Sequence, residues 1–268
     1  EKYSADDMAR IYFGLGSYIG KPLTQSYQGD LLGHVIDVSD VEADARTYHA
    51  GGAIAMHSDS CDIVGLMCVR SAKLGGLSRI SSAVAVHNAI IERRPDLIDA
   101  LYRGFYYKRT ATDAAHATCA LSPYRVPTFA ENSGEVSSYF LGVYARRADR
   151  HGDAKLTPLE IEAIAEVEKL AASEEFFLDM NFTEGDVQFL NNRTMLHART
   201  DYADEKEVYR RRHLLRLWLE IPAWPRLPTH QIFHTNEDRR LWARSRKRLM
   251  ELPSAYLADI AGRVALAH

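Results

Sequence analysis

Ala53-Ile54-Ala55-Met56-His57-Ser58-Asp59 runs through Ser60-Cys61 into Asp62-Ile63-Val64-Gly65-Leu66-Met67-Cys68-Val69-Arg70-Ser71. The first part reads as a strand entering a loop, and the second as a β-rich run of branched and apolar residues. Residues two apart on a strand project to one face. His57 and Asp59 can therefore aim an imidazole nitrogen and a carboxylate oxygen at one point. One such pair is a weak signal in a chain with 11 histidines, since a strand-end histidine is commonly just hydrogen-bonded.

Outward from this stretch, short apolar runs recur between turn residues. Residues 77–81, 104–110, 126–129, 136–139, 176–182, 186–191, 194–197 and 211–221 read as strands. Asn132-Ser133-Gly134 reads as the turn of a hairpin. Helices are expected over residues 5–19, 82–92, 95–102, 158–173 and 237–262. The fourth is announced by Thr157-Pro158-Leu159-Glu160, in which Thr caps, Pro takes the first helical position and Glu reaches back. Residues 21–50 look irregular. The pattern predicts a mainly β protein with covering helices, two packed sheets in a jelly-roll, rather than a doubly wound parallel sheet. Residues 1–268 are read as one domain.

The chain has 268 residues, a net charge of -3 and three cysteines, Cys61, Cys68 and Cys119, at no framework spacing. An odd thiol count fits a reducing compartment, so a cytoplasmic protein is expected. Basic residues do not gather in one segment and no apolar run is long enough to span a bilayer, so neither nucleic acid nor membrane is an expected partner.

A third metal ligand has a candidate in His197, at the end of the late apolar run Thr194-Met195-Leu196-His197. Two histidines and a carboxylate on one face of an octahedron leave three positions open, as suits iron(II) that must take an oxidant and O2 together. Further on comes Arg211-Arg212-His213-Leu214-Leu215-Arg216-Leu217-Trp218-Leu219. On a strand, Arg212, Leu214, Arg216 and Trp218 share one face, and His213, Leu215, Leu217 and Leu219 the other. Two arginines on an otherwise apolar face are costly unless a carboxylate meets them. That carboxylate can belong to a ligand or to a local acid.

These pieces, in order, resemble the taurine dioxygenase (TauD/TfdA-like) branch of the iron(II)/2-oxoglutarate dioxygenases. The matching motifs are His57-Ser58-Asp59, Gly75-Gly76-Leu77-Ser78-Arg79-Ile80-Ser81, Leu190-Asn191-Asn192-Arg193 leading to His197, and Arg212, with similarity from about residue 53 to 219. The resemblance implies a double-stranded β-helix, or cupin-like, core. It implies Fe(II) on His57, Asp59 and His197, with 2-oxoglutarate as co-substrate. Arg212 is then the clamp on the distal carboxylate of 2-oxoglutarate, with Ser81 adding a hydrogen bond and Ser82 as its alternative. Arg216 falls where relatives hold an anionic group of the small organic molecule being oxidised.

The expected reaction consumes O2 and hydroxylates, desaturates or cyclises that molecule, releasing succinate and CO2. The carboxylate of Asp59 disfavours halogenation. The spacing from His197 to Arg212 is long, so Arg211 competes for the clamp. Elements that relatives carry ahead of the first segment look missing. Tyr48, Cys61, Tyr106 and Tyr139 are candidates to line a pocket, while His49, His116 and His213 read as surface or hydrogen-bonded. A homo-oligomer is compatible with the family. The competing function is a non-catalytic or isomerase-type metal-binding jelly-roll, which would need no keto-acid clamp.

Overall fold

A computed structural model describes residues 3–42, 47–132, 134–245 and 249–267. The strands, numbered along the chain, are β1 (Lys21–Pro22), β2 (Gly33–Val35), β3 (Ile54–His57), β4 (Ile63–Arg70), β5 (Leu74–Gly75), β6 (Ser78–Ser82), β7 (Phe129–Asn132), β8 (Glu135–Ser138), β9 (Phe177–Met180), β10 (Val187–Asn191), β11 (Met195–Arg199), β12 (Tyr202–Ala203) and β13 (His213–Glu220). The helices are α1 (Ala5–Ile19), α2 (Ala83–Arg93), α3 (Ile98–Arg103), α4 (Ala111–Ala115), α5 (Gly142–Arg150), α6 (Pro158–Ala171), α7 (Asn236–Ala243) and α8 (Pro253–Ala267).

Two antiparallel sheets face each other. One runs β1-β13-β4-β10 with β2 also on β13, and the other runs β3-β11-β6-β9. This is the jelly-roll core expected from the strand pattern. The alternation on β13 follows the predicted faces. Leu215, Leu217 and Leu219 turn outward under Met8, Ala9 and Tyr12 of α1. Leu214, Arg216 and Trp218 turn inward and line a cavity between the sheets. The outer side of the second sheet is closed by α2, α3 and α6, whose Val86, Ile90, Leu101, Ile164 and Val167 form the largest apolar cluster. Between the sheets Val64, Leu190, Trp218 and Cys61 fill one end.

Boundaries follow local chemistry. At α6 the Thr157 side chain accepts from the Glu160 amide while Glu160 reaches back, with Pro at the helix start, as the sequence predicts. Three expectations change. Residues 104–110 make only isolated bridges, Phe105 with Val126 and Lys108 with Leu121. The 237–262 helix is two helices, α7 and α8, with residues 246–248 outside the described ones. The hairpin pairs β7 with β8, so its first strand starts later than predicted and its second one residue earlier; Ser133 of its turn lies outside the described residues. Helices α4 and α5 were not anticipated. Among the described residues no helix is long and apolar enough to cross a membrane.

Buried His213 links stability to pH. His34 Nε2 lies 2.9 Å from the Glu251 carbonyl and must donate to it, so His34 Nδ1 accepts from His213 Nε2, 2.8 Å away. The other nitrogen of His213, Nδ1, is buried without a partner. Burial, then the nearby His34, Arg70 and His49, push the His213 imidazole well below its ordinary value. The unfolded chain takes up a proton near pH 6.5 and the folded chain does not, so stability falls as pH drops below that value. Each such group costs about 1.4 kcal/mol per pH unit. Chemical denaturation of chelator-treated protein is expected to show lower stability at acidic than at neutral pH. His213→Leu should flatten that slope by one proton's worth; an unchanged slope would remove His213 from the account.

Candidate metal centre

His57 ends β3 and pairs across the sheet with His197 of β11, and a register shift follows between His197 and Arg199. Irregularities of this kind re-aim side chains beside functional sites. The two imidazoles face each other with ring centroids 4.2 Å apart. Asp59 lies two residues beyond the end of β3, so the pleat does not aim it. Asn192 does: its Oδ1 accepts from the Asp59 amide at 3.0 Å, and its Nδ2 donates to the Asp59 and Cys61 carbonyls at 2.5 and 2.8 Å. Next to it, Arg193 donates twice to Asp62 Oδ1, at 2.9 and 2.7 Å, pinning the other end of the loop. The 190–193 motif is thus a clamp on the ligand loop. Asn192→Ala removes three buried hydrogen bonds and should lower metal affinity by about 10–100-fold. Competition with a chromophoric chelator measures it; unchanged affinity would mean that Asp59 is aimed without the clamp.

One donor atom from each of His57, Asp59 and His197 lies within 4.8 Å of the others. His57 Nε2 is 3.9 Å from Asp59 Oδ1, and His197 Nε2 is 3.7 Å from Asp59 Oδ2. Donors about 2.0–2.2 Å from one ion lie at most about 4.2–4.4 Å apart, so these gaps admit a cation between them. His57 Nδ1 is 2.9 Å from the Ala55 carbonyl, which leaves Nε2 as the lone-pair nitrogen turned to the site. Burial, then His57, push the His197 imidazole down to about 3 against the opposing pull of Asp59, with Arg216 adding to the depression. Burial raises the Asp59 carboxyl, but Arg216, the two histidines and the Trp218 hydrogen bond outweigh it and hold the group below its ordinary value. Neutral imidazole and ionised carboxylate are the ligating forms.

Arg216 is placed differently from its expectation. Its Nη1 is 3.4 Å from Asp59 Oδ2, its Nε donates to Gln25 Oε1 at 2.8 Å, and its guanidinium lies over the rings of Tyr48 and Trp218. Trp218 Nε1 donates to the same Asp59 oxygen at 2.8 Å. The local-acid alternative therefore has its partner in Asp59.

Arg212 sits in the same cavity under different conditions. Its guanidinium is buried, donates only weakly to the Gly76 carbonyl at 3.3 Å, and has no acidic side-chain partner among the described residues. Burial, then the charge of Arg199, lower it to about 10. Arg199 also lines the cavity; it donates to the Ala50 and Gly52 carbonyls, and its Nη1 is buried without a partner. Buried cationic donors with unmet capacity fit an anion's carboxylate. Arg211 is committed elsewhere, to both Asp40 oxygens and the Asp37 and Lys206 carbonyls. The Gly75-Gly76 turn fits this packing. Both glycines have positive φ, and a Cβ would meet the Asp201 carbonyl at 2.4 Å or Arg212 Nε at 3.0 Å.

The structure does not bring Ser81 to the cavity. On β6, Ile80 pairs with His197, so Ser78, Ile80 and Ser82 share the face of His197 while Ser81 pairs with Leu196 on the other. Ser81 Oγ is buried without a partner, Ser82 caps α2, and Ser78 lines the cavity. Of the four pocket candidates, Tyr48 lines it. Cys61 packs on Trp218, Tyr139 bonds Ser60 at 2.6 Å, and Tyr106 lies near Arg125. His49 bonds the His34 carbonyl and His116 stacks on Tyr27. Sequence reasoning missed Asn192 as the aiming residue, the Trp218 donor, Ser78, and the arginines of α5. The signal for Ser78 was present: it stands an even number of residues from Ile80 and directly after Gly75-Gly76-Leu77.

Among structures of known proteins, the fold is similar to asparagine oxygenase in complex with Fe(II), 2S,3S-3-hydroxyasparagine and succinate. The TM-score is 0.61 at 14% identity, covering 78% of this chain and 63% of that one. It is also similar to the non-heme iron oxygenase OrfP in complex with Fe and alpha-ketoglutaric acid, at TM-score 0.56 and 13% identity, with 78% and 63% covered. In sequence the chain is 26% identical over 226 residues to FR-33289 synthase of Streptomyces rubellomurinus, covering 82% of this chain and 66% of that protein. It is 30% identical over 220 residues to the taurine hydroxylase-like protein SAT17 of Stachybotrys chartarum, covering 77% and 55%. The chain thus spans under two thirds of the length of these curated relatives. The model of the taurine catabolism dioxygenase TauD, TfdA family matches residues 4–218, and the chain belongs to that family.

Proposed function

We propose that the protein is an Fe(II)- and 2-oxoglutarate-dependent oxygenase that oxidises a small, anionic organic molecule. The observation that carries this reading is one cavity holding both the His57, Asp59 and His197 cluster and an inward guanidinium, Arg212, with no acidic partner among the described residues. A metal-binding jelly-roll of another kind has no use for such a buried charge.

In this reading His57, Asp59 and His197 hold iron(II). When bound, iron and 2-oxoglutarate together activate O2, so that one oxygen atom enters succinate as CO2 leaves and the other oxidises the substrate. Arg212 anchors the distal carboxylate of the co-substrate. Ser78, rather than Ser81, is the hydroxyl placed to add a hydrogen bond. Trp218 and Arg216 hold Asp59 Oδ2 by hydrogen bond and charge, which keeps the carboxylate ionised and oriented. The apolar walls from Leu66, Leu214 and Met56 exclude water around these charges. Arg216 contributes to the site through Asp59, and its ring contacts with Tyr48 limit its freedom to turn to a substrate anion.

Anaerobic titration of metal-free protein with iron(II) and 2-oxoglutarate is the test. A visible charge-transfer band of the chelated keto-acid is expected, followed by succinate release when O2 and a suitable small anion are supplied. Iron binding without a band would favour the non-catalytic or isomerase-type alternative.

A further inference from the structure

The cavity extends well beyond the metal cluster. Its volume is about 790 Å³, toward the upper end of small-molecule sites. One wall is α5. This helix begins beside the ligand loop, because the carbonyl of Phe140 accepts from the Ser58 amide at 2.9 Å. At a rise of about 1.5 Å per residue, Arg147 and Arg150 lie about 9 and 14 Å along the axis from Leu141. Both line the cavity.

The cationic groups of the wall differ in their commitments. Arg146 is neutralised by Glu168, with two hydrogen bonds of 2.5 and 2.6 Å. Arg147 is half-buried, donates to the Lys108 carbonyl at 3.3 Å and lies 4.9 Å from the Tyr144 ring centroid. Neither Arg147 nor Arg150 has an acidic partner among the described residues. Asp113 of α4 also lines the cavity, as does Glu168, which Arg146 engages. Placement in the last turn of α5 suits the helix dipole, which favours cations there. The dipole does not require both side chains to border a cavity, nor Arg147 to be oriented by a carbonyl and a ring.

We infer that Arg147 and Arg150 form a distal oxyanion subsite, reading an anionic group of the molecule whose other end lies at the metal cluster. The inference rests on the proposed oxygenase reading for what occupies the cavity. It assigns the substrate to a class: an elongated molecule with a carboxylate or tetrahedral oxyanion at the end away from the metal cluster. It also moves anion recognition from Arg216, which Asp59 already engages, to α5.

Inorganic phosphate is the probe, titrated calorimetrically into metal-free Arg212→Gln protein, in which the keto-acid anchor is removed while Arg199 stays common to every protein compared. Binding is expected, and Arg147→Gln with Arg150→Gln in that background should weaken it by about tenfold or more, the worth of one charge-assisted hydrogen bond. Arg147 is half-buried and Arg150 exposed, so an unchanged thermal midpoint should show the variants folded. Unchanged phosphate affinity, or no binding to the Arg212→Gln protein at tens of millimolar, would overturn the subsite. This readout needs neither iron nor turnover. If the keto-acid band fails in the wild-type chain while the phosphate result holds, the oxygenase reading falls and the anion subsite stands.

Discussion

Asp59→Ala is expected to release the metal, abolish turnover and destabilise even the metal-free protein. The first two effects follow from losing the one carboxylate in the donor cluster. The third follows from what Asp59 does when no ion is bound. Its Oδ2 accepts from Trp218 Nε1 at 2.8 Å and lies 3.4 Å from Arg216 Nη1, all in buried surroundings. Removing one member of a buried charge pair strands the other, at a typical cost of about 3–5 kcal/mol. Arg216 keeps Gln25 and two aromatic faces, which places the loss at the lower end of that range. Asp59→Asn can still accept from Trp218, so it should lose the metal with a smaller loss of stability. Metal analysis, denaturation in chelator and a turnover assay measure the three effects separately. Stoichiometric iron and full activity in Asp59→Ala would remove the metal assignment.

Arg212→Met and Arg216→Met should change the stability of ligand-free protein in opposite directions, although the two arginines share one face of one strand. Arg212 is buried without an acidic side-chain partner among the described residues, and burial lowers it to about 10. Replacing an uncompensated buried cation with an apolar side chain of similar length is expected to leave the ligand-free midpoint unchanged or higher. The same change should raise the 2-oxoglutarate requirement by about 30-fold or more, since a buried charge-assisted pair lost on one side costs about 2–5 kcal/mol. The stabilisation that 2-oxoglutarate gives by mass action should vanish with it. Arg216→Met breaks the Asp59 and Gln25 contacts, so it should lower the midpoint and weaken metal binding. Thermal midpoints with and without 2-oxoglutarate, together with a metal titration, decide this. A stabilising Arg216→Met paired with a destabilising Arg212→Met would reverse their assigned environments.

The sequence by itself determined the two faces of β13, because alternation along one strand is a local property of the pleat. Leu215, Leu217 and Leu219 could be assigned to a core and Arg212, Leu214, Arg216 and Trp218 to a second face without knowing what either packs against. It likewise determined the start of α6, where Thr157, Pro158 and Glu160 act within one turn. The order of motifs was enough to name the ligand candidates His57, Asp59 and His197, which the fold gathers.

Tertiary structure alone decided what each charge meets. Arg212 and Arg216 share a strand face in sequence, and Arg211 competes with Arg212 for one role. Of the three, one is held by Asp40, one has a guanidinium with no acidic partner among the described residues, and one faces Asp59, 157 positions away along the chain. The choice among Ser78, Ser81 and Ser82 depended on β6 pairing with β11, since a shift of one residue exchanges the faces of a strand. The arginines of α5 border a cavity through tertiary contacts that place the helix, among them the Ser58 amide on the Phe140 carbonyl and Arg146 on Glu168. Periodicity and capping act between neighbours in the chain, whereas burial and charge pairing depend on distant segments whose meeting is set by sheet register.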